Sequence, residues 1–227
     1  MKKQLVVLTG AGMSAESGIK TFRDADGLWE GHDIYEVATP EGFAKNPALV
    51  LDFYNQRRRQ LLEVMPNSGH QNLVQLESNF DVHIVTQNVD DLHERAGSSS
   101  VLHLHGELRK VRSTIDEQLV YSWDRDINIG DTCEKGSQLR PHIVWFGEDV
   151  PLLNKAVTMV EKADIIAVIG TSMQVYPAAG LINYAKPDAQ LFFIDPKPAI
   201  SERDFNNLSI IRDTASSGTQ KLLEVLV

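Results

Sequence analysis

Cysteine is scarce in this chain of 227 residues, where Cys133 is the only one. A single cysteine excludes an internal disulfide and favours a reducing compartment, so we expect a cytoplasmic protein. Apolar runs are short as well, and none approaches the roughly 20 residues that a membrane-spanning helix needs. Strand-like sequence starts directly after Met1-Lys2-Lys3, so we expect no signal peptide.

Positive charge is also in deficit. Lys and Arg together number 22 against 31 Asp and Glu, which gives a formal net charge of -9. This balance argues against non-specific nucleic-acid binding, because such binding depends on cationic side chains that neutralise phosphates. The length suits one domain with a sizeable core and a small inserted module.

What the sequence does contain begins with a glycine turn after an apolar run. Leu5-Val6-Val7-Leu8 is typical of a strand buried on both faces of a parallel sheet. The glycines of Gly10-Ala11-Gly12 would let backbone amides approach a ligand phosphate. Ser14 to Ser17 reads as the start of a helix, whose first amides form an anion site. The spacing Gly10-x-Gly12-x-x-Ala15 fits the looser dinucleotide-binding fingerprint, although two glycines can also serve turn geometry alone.

Strands and helices alternate along the rest of the chain. Residues 81–86, 101–106, 165–170 and 191–195 read as strands, and helical patterns separate them. This alternation predicts an α/β fold with a doubly wound, Rossmann-like parallel sheet. We expect a sheet domain of residues 1–29, 80–106 and 140–227, a helical insertion at 30–79 and a small β-rich, ribbon-like module at 107–139.

Polar side chains follow the strands of the predicted sheet. Asn88 and Asp90 follow the second strand, His105 the third and Asp195 a later one. Because the carboxyl ends of parallel strands lie along one edge, where ligands bind, these side chains should meet there. Asp195 suits a ribose diol, although Asp at a strand end is also a common turn former.

His105 is the candidate for acid–base chemistry, because an imidazole titrates near neutral pH. A purely structural histidine is one alternative. A metal pair with His103, which lies on the same strand face, is another, but no third ligand has a convincing spacing.

Five ordered segments resemble the sirtuins, the NAD-dependent protein-lysine deacylases. They are GAGMSAESGI with the following FR, TQNVDDLHERAG, HLHGEL, IVWFGE and GTSMQVYPA, and the resemblance extends from Leu5 to about Ala215. It implies that NAD is consumed as a co-substrate, that acyl-lysine side chains of other proteins are deacylated, and that nicotinamide and O-acyl-ADP-ribose are released. His105 would be the general base, and Asn88 would be catalytic besides holding the nicotinamide ribose.

The resemblance also implies the binding residues. Phe22 would lie near the nicotinamide, Arg23 near the phosphates and Asp195 at the adenosine ribose. A substrate peptide would dock as an added strand between two chain segments, through main-chain bonds that tolerate varied sequences. The implied NAD-binding residues are Gly10, Ala11, Gly12, Ser14, Ala15, Phe22, Arg23, Trp29, Gln87, Asn88, Val89, Asp90, Gly170, Thr171, Ser172, Asp195 and Ala215. The implied peptide-flanking residues are Val144, Phe146, Gly147, Glu148, Val175 and Tyr176.

An acyl-selective pair is implied in the helical insertion. Tyr54 and Arg57 are three residues apart, so a helix places them on one face. Class III, desuccinylase-type sirtuins carry a Tyr-x-x-Arg pair in this helix and a small residue upstream, where Ala38 stands here. A guanidinium beside a phenol can grip a carboxylate, so we expect succinyl or malonyl groups to be preferred over acetyl. From the residues alone, a solvated charge run at Arg57-Arg58-Arg59 and a core position for Tyr54 are the favoured interpretation, and only the resemblance reverses it.

The chain departs from the sirtuin pattern at two places. Many sirtuins have Pro-Asp where Lys20-Thr21 stands, which puts a nicotinamide-pocket contact in doubt. Most also carry a zinc ribbon of two CxxC pairs, whose thiolates bind the metal. Here Ser113, Asp116, Thr132 and Lys135 occupy those places. We therefore expect no zinc or other metal, an ion pair between Asp116 and Lys135, and a module held mainly by apolar residues such as Val120 and Ile127.

Two other functions are compatible with the same fold. One is an NADase or ADP-ribosyl transferase, and the other is a non-catalytic module that binds NAD or ADP-ribose. Retention of His105 and Asn88 argues against the second, and the FGE and VYP segments favour deacylation over the first. We expect a monomer that acts on other proteins, without nucleic-acid or membrane partners.

Overall fold

The computed structural model describes residues 2–20, 28–29, 31–173 and 175–227, with the backbone alone at 28 and 29. Within them, six parallel strands form the central sheet, and the later strands are added on both sides of the first one. This arrangement confirms the predicted Rossmann-like α/β fold. In spatial order the strands are β11 (Leu208–Ile211), β10 (Gln190–Ile194), β9 (Ile165–Ile169), β1 (Gln4–Thr9), β4 (Asp81–Thr86) and β5 (Val101–His103).

Helices cover the sheet and build a second body beside it. Thr39 and Asn46 cap two of them by accepting hydrogen bonds from the amides of Gly42 and Leu49, and each cap precedes a proline at the first helical position. The helices are α1 (Ile34–Val37), α2 (Pro40–Lys45), α3 (Pro47–Glu63), α4 (Ser68–Leu76), α5 (Leu92–Ala96), α6 (Leu153–Lys162) and α7 (Ala215–Leu226), and Ala178–Tyr184 forms a 3-10 helix.

Alternate side chains of β1 point to opposite faces of the sheet, and both faces are buried. Val6 and Leu8 pack in a cluster with α6 and the 3-10 helix. Leu5 and Val7 pack on the other face with α4 and α7. Coverage of both faces explains why the strands read as continuous apolar runs.

A smaller antiparallel sheet covers the region predicted to be ribbon-like and extends beyond its expected end at residue 139. It consists of β6 (Gly106–Ser113), β7 (Val120–Ser122) and β8 (Leu139–Ile143), in the order β7-β6-β8. A two-stranded hairpin of β2 (Leu28–Trp29) and β3 (His32–Asp33) precedes α1.

The packing moves two of the expected domain boundaries. Leu73 and Leu76 of α4 are fully buried against the large sheet, so α4 packs with that sheet and not with the helices of the predicted insertion. The segment from His142, which we expected to resume the large sheet, instead ends β8 and pairs with β6 of the small sheet. Apolar periodicity gives the type of an element but not the surface against which it packs.

The chain after the first glycine turn also differs from the expectation. Ala11–Met13 and Ala15–Ser17 form two short 3-10 turns, and Gly18 ends the second at φ 97°. No α-helix follows this turn within residues 2–20. The left-handed backbone at Gly18 reverses the chain before a second helical turn can form.

The small module contains the predicted ion pair. Lys135 Nζ donates to Asp116 Oδ2 at 2.7 Å. Ile127 is fully buried in a cluster with Val111, Leu139 and Leu51, as expected of a packing residue. Val120 is 37% exposed, so its expected role in the core was wrong, because β7 is an edge strand with one face towards solvent.

Among the described residues, no helix combines the length and the apolar character that a bilayer crossing requires.

Candidate active site

A cavity of about 600 Å³ opens at the carboxyl ends of β1, β4, β9 and β10 and reaches helix α3. The topological switch point of the sheet, between β1 and β9, lies at this edge. Every predicted site residue whose side chain the structure describes lines this cavity. They are Gly10, Ala11, Gly12, Ser14, Ala15, Ala38, Tyr54, Arg57, Gln87, Asn88, Val89, Asp90, His105, Val144, Phe146, Gly147, Glu148, Gly170, Thr171, Ser172, Val175, Tyr176, Asp195 and Ala215.

The glycine turns after β1 and β9 pack directly against each other. The amide of Gly12 donates to the carbonyl of Gly170 at 2.8 Å. A Cβ added at Gly12 would lie 2.7 Å from the Gly170 Cα, and one added at Gly10 would lie 2.8 Å from the Thr171 Cβ. Glycine is therefore required by contact between the two turns, and the same lack of side chains leaves backbone at the cavity wall.

Asn88, Ser14 and Asp90 form a buried hydrogen-bond chain behind the first glycine turn. Asn88 Nδ2 donates to the Gly10 carbonyl at 3.0 Å and to Ser14 Oγ at 3.1 Å. Ser14 Oγ in turn donates to Asp90 Oδ2 at 2.9 Å. Burial raises the pKa of the Asp90 carboxyl, although its bonds to Ser14 and Leu92 act in the opposite direction. These hydrogen bonds fix the loop after β1 relative to the loop after β4 before any ligand binds.

The ring of His105 is held so that one of its nitrogens can accept a proton. Its Nδ1 lies 3.2 Å from the carbonyl oxygen of Gln87. Since a carbonyl oxygen only accepts hydrogen bonds, Nδ1 carries the proton of the neutral ring and Nε2 carries the lone pair. Burial lowers the pKa of His105 below its ordinary value, and the bond to Gln87 only partly offsets this. The neutral, proton-accepting form is therefore favoured near neutral pH.

Asp195 lies at the end of β10, and its side chain is almost fully buried. Its Oδ1 accepts a hydrogen bond from the Lys197 amide at 2.8 Å, so the residue does form a turn, and it also lines the cavity. Ala215 begins α7. Glu16, which sequence reasoning missed, accepts from the Ser216 amide at 2.8 Å and from Thr214 Oγ1 at 3.1 Å, which joins the first turn to the start of α7.

Tyr54 and Arg57 lie on the cavity face of α3. The Tyr54 side chain is fully buried, and burial raises the pKa of its phenol, so it stays protonated. Arg57 Nη1 donates to the Phe53 carbonyl at 2.9 Å, and its guanidinium lies 3.5 Å from the centre of the Phe53 ring. Ala38 lines the same cavity, and its carbonyl accepts from the Phe146 amide at 2.9 Å.

A model of the Sir2 family matches residues 10–177. The chain belongs to the Sir2 family. A Helicobacter pylori (strain ATCC 700392 / 26695) protein named NAD-dependent protein deacylase is 59% identical over 225 residues, covering 99% of this chain and 98% of that protein. A protein of the same name from Bacteroides thetaiotaomicron is 54% identical over 231 residues, covering 99% and 98%.

Solved structures of Sir2 proteins share the fold. A Sir2 homologue in complex with NAD has a TM-score of 0.88 and 42% identity, covering 99% of this chain and 89% of that one. A Sir2 protein bound to acetylated peptide has a TM-score of 0.82 and 27% identity, covering 99% and 93%.

In this Sir2 family member, the Glu148 carboxylate accepts hydrogen bonds from other groups of the protein. Arg140 Nη1 donates to it at 2.6 Å, Arg112 Nη2 donates to both its oxygens at 3.1 Å, and the Trp145 amide donates at 2.8 Å. Burial opposes the charged form, but these bonds outweigh it and lower the pKa of Glu148. Glu148 thus anchors the loop that follows β8 to β6 and β8, while Phe146 and Tyr176 remain exposed at the cavity rim.

Trp145 is another cavity residue that sequence reasoning missed. Its indole Nε1 donates to the Tyr54 hydroxyl at 3.0 Å. The segment IVWFGE contained the residue, but its apolar character indicated only burial and not this bond.

Three predicted NAD-binding positions have no described side chain. Phe22 and Arg23 lie outside the described residues, and at Trp29 only the backbone is described. Among the described residues, no group of three or more His, Cys, Asp or Glu side chains is placed to hold a metal ion. The metal alternative for His103 and His105 therefore gains no support.

Proposed function

We propose that the protein is an NAD-dependent protein-lysine deacylase that prefers acyl groups ending in a carboxylate, such as succinyl and malonyl, and also removes acetyl. The first part is supported by membership of the Sir2 family, by relatives named NAD-dependent protein deacylase, and by likeness to Sir2 structures with NAD and with acetylated peptide. The acyl preference rests on the cavity itself.

The cavity fits NAD as a co-substrate. Gly10 and Gly12 leave bare backbone at the switch point, where side chains would collide with the neighbouring turn. Such backbone amides suit a pyrophosphate. The Asp195 carboxylate suits the adenosine ribose, and Gln87, Asn88 and Asp90 suit the nicotinamide end. Bound NAD would supply an electrophilic ribose carbon and nicotinamide as the leaving group.

His105 would act on this substrate through Nε2. With Nδ1 bonded to the Gln87 carbonyl, Nε2 can take the proton of a ribose hydroxyl, which makes that oxygen a nucleophile. The largely buried position of the ring keeps it neutral before this step. Asn88 would orient the same ribose, because its side chain is held by Gly10 and Ser14.

The observation that carries the acyl preference is the position of Tyr54 and Arg57. Both line the cavity that also contains His105 and the glycine turns, so an acyl group that reaches His105 would extend towards them. A phenol that stays protonated and a guanidinium are both donors to a carboxylate. Hydrogen bonds to charged groups contribute about 1.5–3 kcal/mol each, and desolvation of the carboxylate offsets part of this.

The test is kcat/KM on matched acetyl-lysine and succinyl-lysine peptides for the wild type, Tyr54→Phe and Arg57→Met. We expect both variants to lose succinyl activity by roughly ten- to hundred-fold, with little loss of acetyl activity. Arg59→Met is the matched control, since Arg59 lies two residues further along α3 but pairs with Asp126 on the surface.

Two outcomes would count against the proposal. Equal losses on both peptides would show that Tyr54 and Arg57 do not bind the acyl carboxylate. Release of nicotinamide without any free lysine, detected by mass spectrometry, would favour an NADase over a deacylase.

A further inference from the structure

His103 lies between two hydrogen-bond acceptors. Its Nδ1 is 3.1 Å from the carbonyl oxygen of Asn88, and its Nε2 is 2.7 Å from Glu94 Oε1. The imidazole is buried with 7% of its side chain exposed, whereas Glu94 of α5 is 41% exposed. A carbonyl oxygen and an ionised carboxylate both accept only, so each ring nitrogen must carry a proton to make both bonds.

The geometry therefore describes an imidazolium. Burial acts against the charge, but the bond to Glu94 outweighs it and raises the pKa of His103. Glu94 responds in the matching direction, since the same bond outweighs its own burial and lowers the pKa of its carboxyl.

The charged groups around the His103 ring also favour its protonated form. From α5, Glu94 stabilises the cation and the neighbouring His93 is buried with a lowered pKa, so it adds no competing charge. From β6, Glu107 adds negative potential, although it pairs with Lys110. Asp90, on the loop before α5, lies near enough for the cation to oppose part of the rise in pKa that burial causes there.

Asn88 is held by the protein at every group but one. Its backbone amide donates to Thr86 Oγ1 at 3.0 Å, and its carbonyl oxygen accepts a hydrogen bond from His103 Nδ1. Its Nδ2 donates to the Gly10 carbonyl and to Ser14 Oγ. Its Oδ1 has no hydrogen-bond partner among the described residues, and Asn88 lines the cavity. The bond from His103 therefore fixes the main chain from which this oxygen projects.

We propose that His103, held as an imidazolium by Glu94, is a positioning residue that clamps the Asn88 carbonyl and so sets the Asn88 side chain for NAD. This role rests on the proposed NAD-dependent function.

Loss of one proton from His103 has a definite consequence. The Glu94 carboxylate keeps the remaining proton on Nε2, because the bond to a charged acceptor is the stronger one. Nδ1 then presents a lone pair to the Asn88 carbonyl, and the clamp is lost. In Glu94→Gln the amide can donate to Nε2, so a neutral His103 keeps its proton on Nδ1 and keeps the clamp.

The experiment measures kcat/KM for NAD from pH 6.5 to 9.5 at saturating acyl-lysine peptide. We expect the wild-type value to fall on the order of ten-fold at the alkaline end, the size of a lost bond to a charged group. Glu94→Gln should flatten this fall. The matched control is Asp81→Asn, which alters the His83–Asp81 pair on β4, where His83 Nδ1 contacts Ser100, and which should leave the profile unchanged.

Nitrogen NMR of histidine-labelled protein reads the ring directly. We expect two ring protons on His103 at pH 7 in the wild type and one, on Nδ1, in Glu94→Gln, with the signal assigned by its loss in His103→Gln. A single ring proton on His103 in the wild type would overturn the proposal. So would a Glu94→Gln variant that keeps the alkaline fall in kcat/KM, or one whose kcat/KM is reduced by the same factor at every pH.

Failure of the proposed function gives a different result. If no acyl-lysine is turned over at any pH, NAD binding measured by calorimetry over the same range replaces kinetics. Binding that weakens at alkaline pH in the wild type but not in Glu94→Gln supports the clamp, and identical curves overturn it.

Discussion

The indole of Trp145 donates a hydrogen bond to the hydroxyl of Tyr54 at 3.0 Å, and both side chains are buried. An indole N–H only donates, so the phenol oxygen accepts here and directs its own hydrogen to a different group. The Arg140 guanidinium lies 3.3 Å from the centre of the Trp145 ring system and also binds Glu148. Tyr54 is thus oriented by a residue of the loop that follows β8, outside its own helix.

This relationship makes Trp145→Phe a test of orientation at the acyl pocket. Phenylalanine keeps a ring for Arg140 to stack on but removes the N–H. We expect selectivity for succinyl over acetyl peptides to fall by up to about ten-fold, because a neutral hydrogen bond contributes about 0.5–1.5 kcal/mol, while acetyl activity changes little. The ratio of the two kcat/KM values measures the effect.

Trp123→Phe is the control for that substitution. Trp123 also has an arginine over its ring, Arg125 at 3.9 Å, and its indole donates to the Asp126 carbonyl at 3.2 Å, but it does not line the cavity. An unchanged succinyl-to-acetyl ratio in Trp145→Phe would remove Trp145 from acyl selection.

His105 should set the acid side of the pH profile. A base works only when unprotonated, so kcat/KM is lost as pH falls through the pKa of His105 in the free enzyme. Burial lowers that pKa below its ordinary value, so activity should persist to a lower pH than an exposed imidazole would allow. His105→Ala should lose about 10²- to 10⁴-fold in rate, with NAD binding largely kept.

The measurements are kcat/KM between pH 4.5 and 7.5 and NAD affinity by calorimetry. An acid limb centred above the ordinary histidine range would contradict the buried position of the ring. Activity of His105→Ala within a few-fold of wild type would exclude His105 as the base.

Residues at strand ends could be predicted to meet because topology decides their position. Once the alternation of strands and helices indicates a parallel sheet, Asn88, His105, Gly170 and Asp195 must lie along one edge. They do so here, around one cavity. This inference needs only the direction of the strands and not the packing of any side chain.

The surroundings of individual side chains on α3 could not be predicted in the same way. Arg57, Arg58 and Arg59 are consecutive and identical, yet Arg57 lines the cavity and Arg59 pairs with exposed Asp126. Arg58 is 1% exposed and donates to the Leu108 carbonyl and to Asn55. Successive helical residues point about 100° apart, and the surface each one meets is built by distant parts of the chain.

Asp195 should contribute to NAD binding more than to chemistry. We expect Asp195→Asn to raise the KM for NAD by roughly ten-fold or more, the scale of a bond to a charged group, with kcat at saturating NAD little changed. Asparagine is chosen because its Oδ1 can still accept from the Lys197 amide, which preserves the turn. Asp213→Asn is the control, since Asp213 pairs with Lys221 on the surface.

An unchanged KM for NAD in Asp195→Asn would reduce Asp195 to a turn residue. A fall in kcat equal to the rise in KM would instead place its effect on the chemical step.

The small module offers a last prediction, that packing around Ile127 replaces a metal as its main support. Ile127 is fully buried, and Asn55 of α3 bonds both its amide and its carbonyl, at 2.8 and 2.9 Å. Truncation of a buried isoleucine costs about 2–5 kcal/mol, so Ile127→Ala should lower the free energy of unfolding by that amount. Asp116→Asn should leave it nearly unchanged, because the Asp116–Lys135 pair is solvent-exposed and screened.

Urea denaturation monitored by tryptophan fluorescence compares these variants with Ile129→Ala, in which an isoleucine that is 60% exposed is truncated in the same module. We expect only Ile127→Ala to shift the transition substantially. Elemental analysis and a strong chelator complete the test, because a zinc-supported module would contain one metal ion per chain and lose stability on chelation. Either result, or a larger loss in Asp116→Asn than in Ile127→Ala, would show that packing is not what holds the module.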